Sequence, residues 1–353
     1  QMLFALNSHI DTMARELGLD PVAVHKLNAV QAGDTSVHGW KIGSTGLREC
    51  LDQCTKAMDW HTRRARSAAG QSGVKRRGVG VAAAMHVSGN RTMGNWDGST
   101  VVLRLNEDGR AIVLSGECDM GQGAATMLAQ VVAHELNIPL AHVHVAPPDT
   151  DTSPFAIGTL ASRVTMSGGN AALVAARKAK AQLFGVAAGL LGCEAEQLEI
   201  ADGQVRVIGE PTRAKPLGDV VRQHIWRHGG EGLQVSGTWD PQTQMFDPAT
   251  LMGNIAAAYS FAAQVVEVEV DTETGQVSVV DSFVSDDCGK AFNPLAIHGQ
   301  SNGATAQAFG WALYEQLQLE GGRIANGNFA DYNMPTADAI PLLRGGLVES
   351  NDP

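Results

Sequence analysis

Residues 116–130 constrain what this chain can fold into more than any other stretch. They read Gly-Glu-Cys-Asp-Met-Gly-Gln-Gly-Ala-Ala-Thr-Met-Leu-Ala-Gln, and an apolar run of β type at residues 111–114 leads into them. A helical pattern begins directly after Gly121 and Gly123. A strand, a glycine turn and a helix start in this order aim backbone N–H groups at an anion, usually a phosphate.

The residue types of this turn fit a ligand site, and they also fit a plain tight turn. Glycines let the backbone approach a ligand closely, and the amide of Gln122 can both donate and accept hydrogen bonds. A Gly-x-Gly pair by itself matches many turns that bind nothing. The ligand reading therefore needs support from other parts of the chain.

Three later clusters of turn residues and hydroxyls give that support. Residues 149–154 read Asp-Thr-Asp-Thr-Ser-Pro, which is typical of a turn, and residues 158–170 bring Ser162 and Thr165 to a predicted helix start. Hydroxyls beside free N–H groups at a helix N-terminus can hold a phosphate, although simple N-capping explains them equally well. The third cluster, Asp-Cys-Gly-Lys-Ala-Phe-Asn-Pro at 287–294, opens another predicted helix.

In this order, the motifs resemble the molybdenum-cofactor-binding subunit of the xanthine dehydrogenase / aldehyde oxidase family. The pattern is a Met-Gly-Gln-Gly turn, an Asp-Thr-Asp turn with a Ser/Thr-rich helix start, and an Asp-x-Gly block followed by Asn-Pro and Gly-Gln. The resemblance covers nearly the whole chain. The spelling Ala-Ser-Arg-Val-Thr at 161–165 looks most like the large (alpha) subunit of 4-hydroxybenzoyl-CoA reductase.

The resemblance implies a molybdenum ion held by the dithiolene of a pyranopterin, in bacterial members commonly the cytosine dinucleotide form. No side chain is then expected to bind the metal, and the protein supplies hydrogen bonds and a shaped pocket. Carried over position by position, the resemblance implies that Gly121, Gln122 and Gly123 contact the pterin or its pyrophosphate. It implies that Ala161 lies near the metal, and that Ser162, Arg163 and Thr165 neighbour the phosphates. Gln300 would hydrogen-bond the pterin.

The resemblance also implies an oxidoreductase that works with partner chains. Family members mostly hydroxylate a carbon with oxygen from water and send two electrons to iron–sulfur clusters and FAD. The glutamate that serves as their base lies beyond the residue matching Pro353, so the catalytic residue is not expected here. We expect the chain to be a fragment that is inactive alone. We expect an iron–sulfur subunit and an FAD subunit as partners, in a dimer of heterotrimers.

The substrate and the reaction direction stay open at this point. The likeness to 4-hydroxybenzoyl-CoA reductase implies a CoA-thioester substrate and a reductive reaction that removes a ring hydroxyl, as in aromatic degradation. Aldehyde or xanthine/purine dehydrogenase activity is the alternative, and a non-catalytic scaffold of the same fold is a further one. A dinucleotide-binding domain would need a third glycine at position 126, which is Thr126. His134 and Glu135 could begin the zinc protease motif His-Glu-x-x-His, but the position of its second histidine is occupied by Ile138.

Composition narrows the partners and the compartment. The 353 residues carry a formal net charge of −11, which argues against nucleic acid as a partner. No apolar run reaches the ~18 residues that a membrane span needs. Five scattered cysteines fit reduced thiols, and we expect a cytoplasmic protein. Because the chain has no Cys-x-x-Cys set, it is not expected to carry its own iron–sulfur cluster.

Hydrophobic periodicity predicts an α+β fold with mixed sheets, packed helices and two subdomains. Residues 1–75 would be the end of a first molybdopterin-binding subdomain with a helical linker, and residues 76–353 a second one that is truncated at its C-terminus. Basic residues at 63–66 are expected to be solvated helix-end charge. An ordinary surface loop is expected at 89–98. The predicted helices cover 2–17, 21–30, 45–67, 124–135, 162–191, 217–228 and 294–320, and the pair Asp20-Pro21 predicts the start of the second. The main predicted strands cover 78–86, 99–105, 110–114, 262–270 and 275–284. A hairpin turn at 106–109 is predicted to join the second and third strands, and the last two are predicted to form a long hairpin across 271–275.

Overall fold

A computed structural model describes residues 1–92 and 94–352. These residues form two compact units: 1–36, 41–86 and the chain from Ala258 onward make the first, and 37–40 with 87–257 make the second. The predicted division into subdomains 1–75 and 76–353 concerns the family's subdomains and stays a prediction. Pro353, the last residue of the predicted second subdomain, lies outside the described residues, as does Met93 within the predicted loop 89–98.

Four helices open the described chain, and groups of strands separated by single helices follow. The helices are α1 (Met2–Glu16), α2 (Pro21–Asn28), α3 (Leu47–Ala57), α4 (Trp60–Ala68), α5 (Ala124–Leu136), α6 (Gly169–Leu191), α7 (Leu217–Arg227) and α8 (Pro294–Leu313). The strands are β1 (Lys75–Ser88), β2 (Ser99–Leu105), β3 (Ala111–Ser115), β4 (Val143–Val145), β5 (Leu198–Ala201), β6 (Gln204–Val207), β7 (Glu210–Pro216), β8 (Leu233–Trp239), β9 (Ala258–Asp271), β10 (Val277–Asp287), β11 (Leu319–Glu320), β12 (Arg323–Ile324) and β13 (Arg344–Val348).

The first unit is built on a mixed four-stranded sheet in the order β1-β9-β10-β13. Strands β9 and β10 form the predicted long antiparallel hairpin, and β13 runs parallel to β10. Helix α3 packs on β9 and β10 and buries Cys50, Leu51 and Cys54. Burial raises the pKa of both thiols to about 12, so these cysteines act as small apolar core residues.

The single helix predicted over 45–67 is wrong, because the chain breaks between α3 and α4. Asp59 takes a left-handed conformation with φ 46°, which ends α3 and turns the chain into α4. Trp60, the first residue of α4, is buried, and its indole N–H donates to Asp20 Oδ1 at 3.0 Å. Burial of this indole outweighs the continuous helical pattern.

Two arginines of the basic stretch 63–66 are held by carboxylates of the first unit, so the prediction of solvated charge is wrong for them. Arg63 binds Glu267 and, at 2.7 Å, Asp281; Arg66 also binds Glu267. The Glu267 side chain is only 3% exposed. A carboxylate removed from water needs a charged partner, and α4 supplies two.

The second unit carries two sheets, one in the order β4-β3-β2-β8 and one in the order β5-β6-β7. The predicted hairpin turn at 106–109 joins β2 and β3. Helix α6 packs on β2 and β8 through a row of buried alanines. A Cβ at Gly237 of β8 would lie 2.3 Å from the carbonyl oxygen of Ala171 and 2.4 Å from the backbone nitrogen of Ala175. Glycine therefore permits direct contact between the helix backbone and the strand.

Mixed parallel and antiparallel sheets with packed helices confirm the predicted α+β fold class. Helix α6, with 23 residues, is the longest of those in the described ranges. Among residues 1–92 and 94–352, none of the helices combines the length and apolar character that a membrane crossing requires.

Candidate functional site

The glycine turn that follows β3 is closed by the side chain of Asp119. Its Oδ1 accepts from the N–H groups of Gly121 at 2.9 Å and Gly123 at 3.2 Å, and its Oδ2 accepts from Ala125 at 3.1 Å. These backbone hydrogen bonds, that of Gly121 foremost, hold the pKa of Asp119 below its usual range. Sequence reasoning expected these N–H groups to face an anion, and the anion that they bind in this structure is a carboxylate of the same turn.

Gln122 folds back onto the turn that carries it. Its Oε1 accepts from the Met120 N–H at 2.6 Å, and its Nε2 donates to the Cys118 carbonyl oxygen at 2.9 Å. A carboxamide offers two donor hydrogens and two acceptor positions, so these bonds use half of its capacity. At Gly121, with φ 105°, a Cβ would meet no atom within 4 Å. The turn is thus open to a ligand on the side of Gly121.

The predicted helix start at 161–165 begins with strained backbone. Ala161 and Ser162 have φ of 46° and 51°, and they are the one consecutive pair of non-glycine residues with positive φ in the described ranges. Each such residue costs about 1–2 kcal/mol, so surrounding contacts must hold it. A π-helical turn, Val164–Gly168, follows before α6 begins. The hydroxyl residues Ser162 and Thr165 are exposed, and Ala161 is half-exposed.

The two predicted motifs lie side by side in the second unit. The carbonyl oxygen of Cys118 accepts from the Thr159 hydroxyl at 2.8 Å as well as from Gln122. A Cβ at Gly116 would lie 2.5 Å from the carbonyl oxygen of Pro154, so the strand that enters the first motif touches the segment that enters the second. Glycine at 116 is required for this close approach.

Arg163 differs from its neighbours because its side chain lies inside the unit. Its guanidinium binds Asp97 Oδ1 at 3.1 Å and Glu117 Oε1 at 2.7 Å, and all three side chains are 0% exposed. It also donates to the Ser99 hydroxyl at 2.9 Å and to the carbonyl oxygens of Asp97 and Gly98. The hydrogen-bond donors of the Arg163 guanidinium therefore bind acceptors of the protein, whereas Ser162 and Thr165 are exposed to solvent.

Sequence reasoning missed Asp97 and Glu117, and its surface-loop prediction for 89–98 is wrong in part. Arg91 of this loop is buried and pairs with Asp240 at 2.6 Å, and Asp97 is fully buried. The available signal was an arginine and an aspartate in a loop that glycine and asparagine dominate. Glu117 Oε2 has no hydrogen-bond partner among the described groups.

Gln300, the one predicted site residue of the first unit, lies on α8 and is exposed. Asn293 caps this helix, since its Oδ1 accepts from the N–H of Ala296 at 3.1 Å. A Cβ at Gly299 or Gly303 would meet no atom within 4 Å, so this side of α8 is open. The opening suits a helix that another group approaches closely.

Asp287, from the Asp-x-Gly motif before α8, is a structural residue of the first unit. It is 1% exposed. Its Oδ2 accepts from the Gly46 N–H at 2.7 Å, and its Oδ1 accepts from Gly289 at 3.1 Å and from Ser350 at 3.2 Å. One carboxylate thereby ties together three chain segments that are distant in sequence.

The sequence of this chain matches a family of known proteins. The model of the molybdopterin cofactor-binding domain matches residues 53–341, which is well over half of the chain. The chain belongs to this family. The xanthine dehydrogenase molybdenum-binding subunit of Escherichia coli O157:H7 is 32% identical over 357 residues, covering 100% of this chain and 46% of that subunit. The carbon monoxide dehydrogenase large chain of Afipia carboxidovorans is 27% identical over 364 residues, covering 97% of this chain and 43% of that one.

Solved structures agree with the sequence match. The Cu,Mo-CO dehydrogenase in its carbon monoxide reduced state superposes with a TM-score of 0.85 at 25% identity, over 99% of this chain and 45% of that one. Quinoline 2-oxidoreductase from Pseudomonas putida 86 gives the same TM-score and identity, over 98% of this chain and 44% of that one. The predicted likeness to the xanthine dehydrogenase family is confirmed for this domain. The chain spans less than half the length of these relatives.

Proposed function

We propose that this chain is the cofactor-binding part of the catalytic subunit of a molybdenum hydroxylase-type oxidoreductase. The observation that carries the proposal is the shared carbonyl oxygen of Cys118, which joins the Gln122 turn to the Thr159 segment. Two motifs that resemble parts of one cofactor site are thereby neighbours in one unit. When bound, the molybdenum pyranopterin supplies the two-electron redox centre.

The residues present fit such a cofactor. Ser162 and Thr165 place exposed hydroxyls at the start of a helical segment, where backbone N–H groups lack intrahelical acceptors, and this combination suits the phosphates. Gln122 retains donor and acceptor capacity for the pterin, and the space at Gly121 admits it. Ala161 has a small side chain, which leaves room for a substrate near the metal.

Gly123 and Gln300 complete the proposed set with different roles. Gly123 is the left-handed residue before α5, so it gives the turn its shape. Gln300 would hydrogen-bond the pterin. For Arg163 the proposal changes: its guanidinium is occupied by buried carboxylates, so only its backbone is left to neighbour the phosphates.

The finer features of the proposal are the cytosine dinucleotide form of the cofactor, an iron–sulfur subunit, an FAD subunit, a dimer of heterotrimers and a cytoplasmic location. The names of the relatives support partner chains, since they describe a molybdenum-binding subunit and a large chain. Because the chain spans less than half the length of these relatives, the activity is proposed for the full-length subunit.

Three substrate classes remain as proposals. Oxidative hydroxylation of a purine such as xanthine is supported by the 32% identical relative, whose name is xanthine dehydrogenase. Reduction of 4-hydroxybenzoyl-CoA rests only on the spelling Ala-Ser-Arg-Val-Thr at 161–165. Aldehyde oxidation is the remaining catalytic alternative, and a scaffold without metal is the non-catalytic one.

The test measures molybdenum and the nucleotide released by mild acid from the full-length subunit purified with its partners. About one molybdenum and one CMP per chain are expected. Neither metal nor nucleotide in a properly matured complex would leave the scaffold alternative. Turnover with xanthine, an aldehyde or 4-hydroxybenzoyl-CoA then separates the substrate classes.

A matched pair of variants tests the role of the glycine turn. Gln122→Ala should lower the molybdenum and CMP content without unfolding the chain. Gln204→Ala removes an exposed carboxamide from β6 of the same unit and should leave both contents unchanged. Full content in Gln122→Ala would refute the assigned contact.

A further inference from the structure

A closed ring of hydrogen bonds surrounds the strained turn. The carbonyl oxygen of Ala161 accepts from the Gly89 N–H at 2.8 Å. The next residue, Asn90, donates its N–H to Asp97 Oδ2 at 2.8 Å. Asp97 Oδ1 accepts from Arg163 Nε at 3.1 Å, and Arg163 stands two residues after Ala161. The ring thus begins and ends on the segment that contains the left-handed pair.

Gly89 is required at its place in this ring for two reasons. Its φ is 83°, in the region that favours glycine, and a Cβ would lie 2.5 Å from Asp97 Oδ2. The Asp97 carboxylate therefore lies directly against the backbone of Gly89, whose N–H binds the carbonyl oxygen of Ala161. Substitution at this glycine would displace either the Asp97 carboxylate or the loop.

A second set of bonds from Arg163 fixes the other end of the segment. Its Nη1 donates to the Gly158 carbonyl oxygen at 3.3 Å and to Glu117 Oε1 at 2.7 Å. One guanidinium therefore holds residues 158 and 163 relative to each other, across the left-handed pair. Through Glu117 it also holds the strand that enters the Asp119 turn.

We propose that Arg163, with Asp97, is a positioning residue that keeps Ala161 and Ser162 in their left-handed, ligand-ready conformation before the cofactor arrives. The inference rests on the proposed function for the identity of the ligand. A turn that is already shaped need not be ordered on binding, so the cofactor is retained more tightly. The side chain does this without touching the cofactor, because its donors are spent inside the unit.

The test is hydrogen–deuterium exchange of the peptide 155–166 in the full complex, with and without cofactor. In the unaltered protein this peptide should be almost equally protected in both forms. Arg163→Lys keeps the charge but loses the fork of donors, which is worth about tenfold or more in an opening equilibrium for one charged hydrogen bond. We expect exchange about tenfold faster in the cofactor-free form, restored protection in the loaded form, and about tenfold faster loss of the nucleotide.

Arg206→Lys is the matched control. Arg206 is half-buried on β6 of the same unit, and its guanidinium binds Glu199 at 2.7 Å and Asp202 at 3.1 Å. These bonds involve neither the peptide 155–166 nor the loop 89–98, so the control should leave that peptide's exchange and the nucleotide retention unchanged.

Asp97→Asn is the second variant in case Arg163→Lys fails to fold. The asparagine amide would place its NH₂ group opposite either the Asn90 N–H or Arg163 Nε, which are both donors, so one hydrogen bond of the ring is lost with no loss of side-chain volume. Folded variants whose peptide 155–166 exchanges as in the unaltered protein would overturn the proposal. An unaltered complex with no molybdenum or nucleotide would instead defeat the proposed function, and exchange of the cofactor-free chain would still decide whether Arg163 holds the turn.

Discussion

The Thr159 hydroxyl donates a hydrogen bond of 2.8 Å to the carbonyl oxygen of Cys118, 41 residues earlier in the chain. The same oxygen accepts from the Gln122 side chain. This one acceptor sets the spacing between the glycine turn and the helix start, the two features that carry the resemblance to the molybdenum-cofactor-binding subunits. A cofactor that contacts both motifs meets them in an arrangement that the protein provides on its own.

Replacement of Asp119 by alanine should loosen the glycine turn. Asp119 satisfies three backbone N–H groups, including that of Ala125 at the start of α5, and loss of such a helix cap costs about 1 kcal/mol. We expect faster hydrogen exchange in residues 117–126. Since backbone hydrogen bonds lower the pKa of Asp119, this stabilisation should be present above its unfolded-state pKa and be lost as the pH falls through the folded-state value.

Asp108→Ala serves as the control for Asp119→Ala, because Asp108 is an exposed aspartate whose Oδ1 accepts from the Arg110 N–H at 3.0 Å. A smaller effect is expected there. Equal exchange in residues 117–126 of the Asp119 variant and the unaltered protein would show that the turn holds its shape without the carboxylate.

Ala161→Phe should block substrate and leave the cofactor bound, because the proposal puts this small side chain beside the metal. Turnover should fall by orders of magnitude while the molybdenum and nucleotide contents stay unchanged. Leu251→Phe is the matched control, since Leu251 is exposed and also has positive φ, 58°. It reports the strain of a phenylalanine in left-handed backbone. Unchanged turnover in Ala161→Phe would show that Ala161 does not lie beside the metal.

Gly237→Ala should destabilise the second unit, and Gly185→Ala should not. The new methyl at 237 would meet the backbone of α6 at 2.3–2.4 Å, so helix and strand must separate, at a cost of about 1–3 kcal/mol or more. At Gly185, inside α6, a Cβ meets nothing within 4 Å, and alanine should stabilise the helix by up to about 1 kcal/mol. Thermal unfolding midpoints should therefore move in opposite directions, and equal shifts would contradict the close contact at Gly237.

Stability of the second unit should fall as the pH drops below neutrality, partly through His224. Burial, and then the neighbouring His228, whose ring centroid lies 4.1 Å away, hold the pKa of His224 below its usual value. Its Nδ1 has no partner among the described groups. The unfolded chain takes up this proton near pH ~6.5 and the folded chain only at lower pH, so stability is lost as the pH falls from ~6.5 through the folded-state pKa.

The His224 prediction is checked by the melting midpoint between pH 7 and pH 5. His224→Leu should make the midpoint fall less steeply over this range. Val221→Ala, at a buried position of the same helix, should lower the midpoint by a similar amount at every pH. An unchanged slope in His224→Leu would mean that other groups account for the pH dependence.

Local patterns were sufficient for much of the fold. Helix α2 begins at Pro21 and is capped by Asp20, as the Asp-Pro pair predicts, and the hairpin turn at 106–109 lies where its turn residues predict it. Such features depend on hydrogen bonds between residues close in sequence. The break at Asp59 escaped prediction, because the contact that decides it joins Trp60 to Asp20, 40 residues away.

The candidate site divides along the same line. The sequence alone determined the glycine turn, the hydroxyls at 162 and 165 and their resemblance to a cofactor site, because these depend on residue types at short spacing. Only the tertiary structure decided that two motifs share the Cys118 oxygen and that the side chain of Arg163 turns inward. Its partners Glu117 and Asp97 lie 46 and 66 residues away in sequence. No local pattern encodes such a meeting, because it results from the packing of the sheet and helices that bring these residues together.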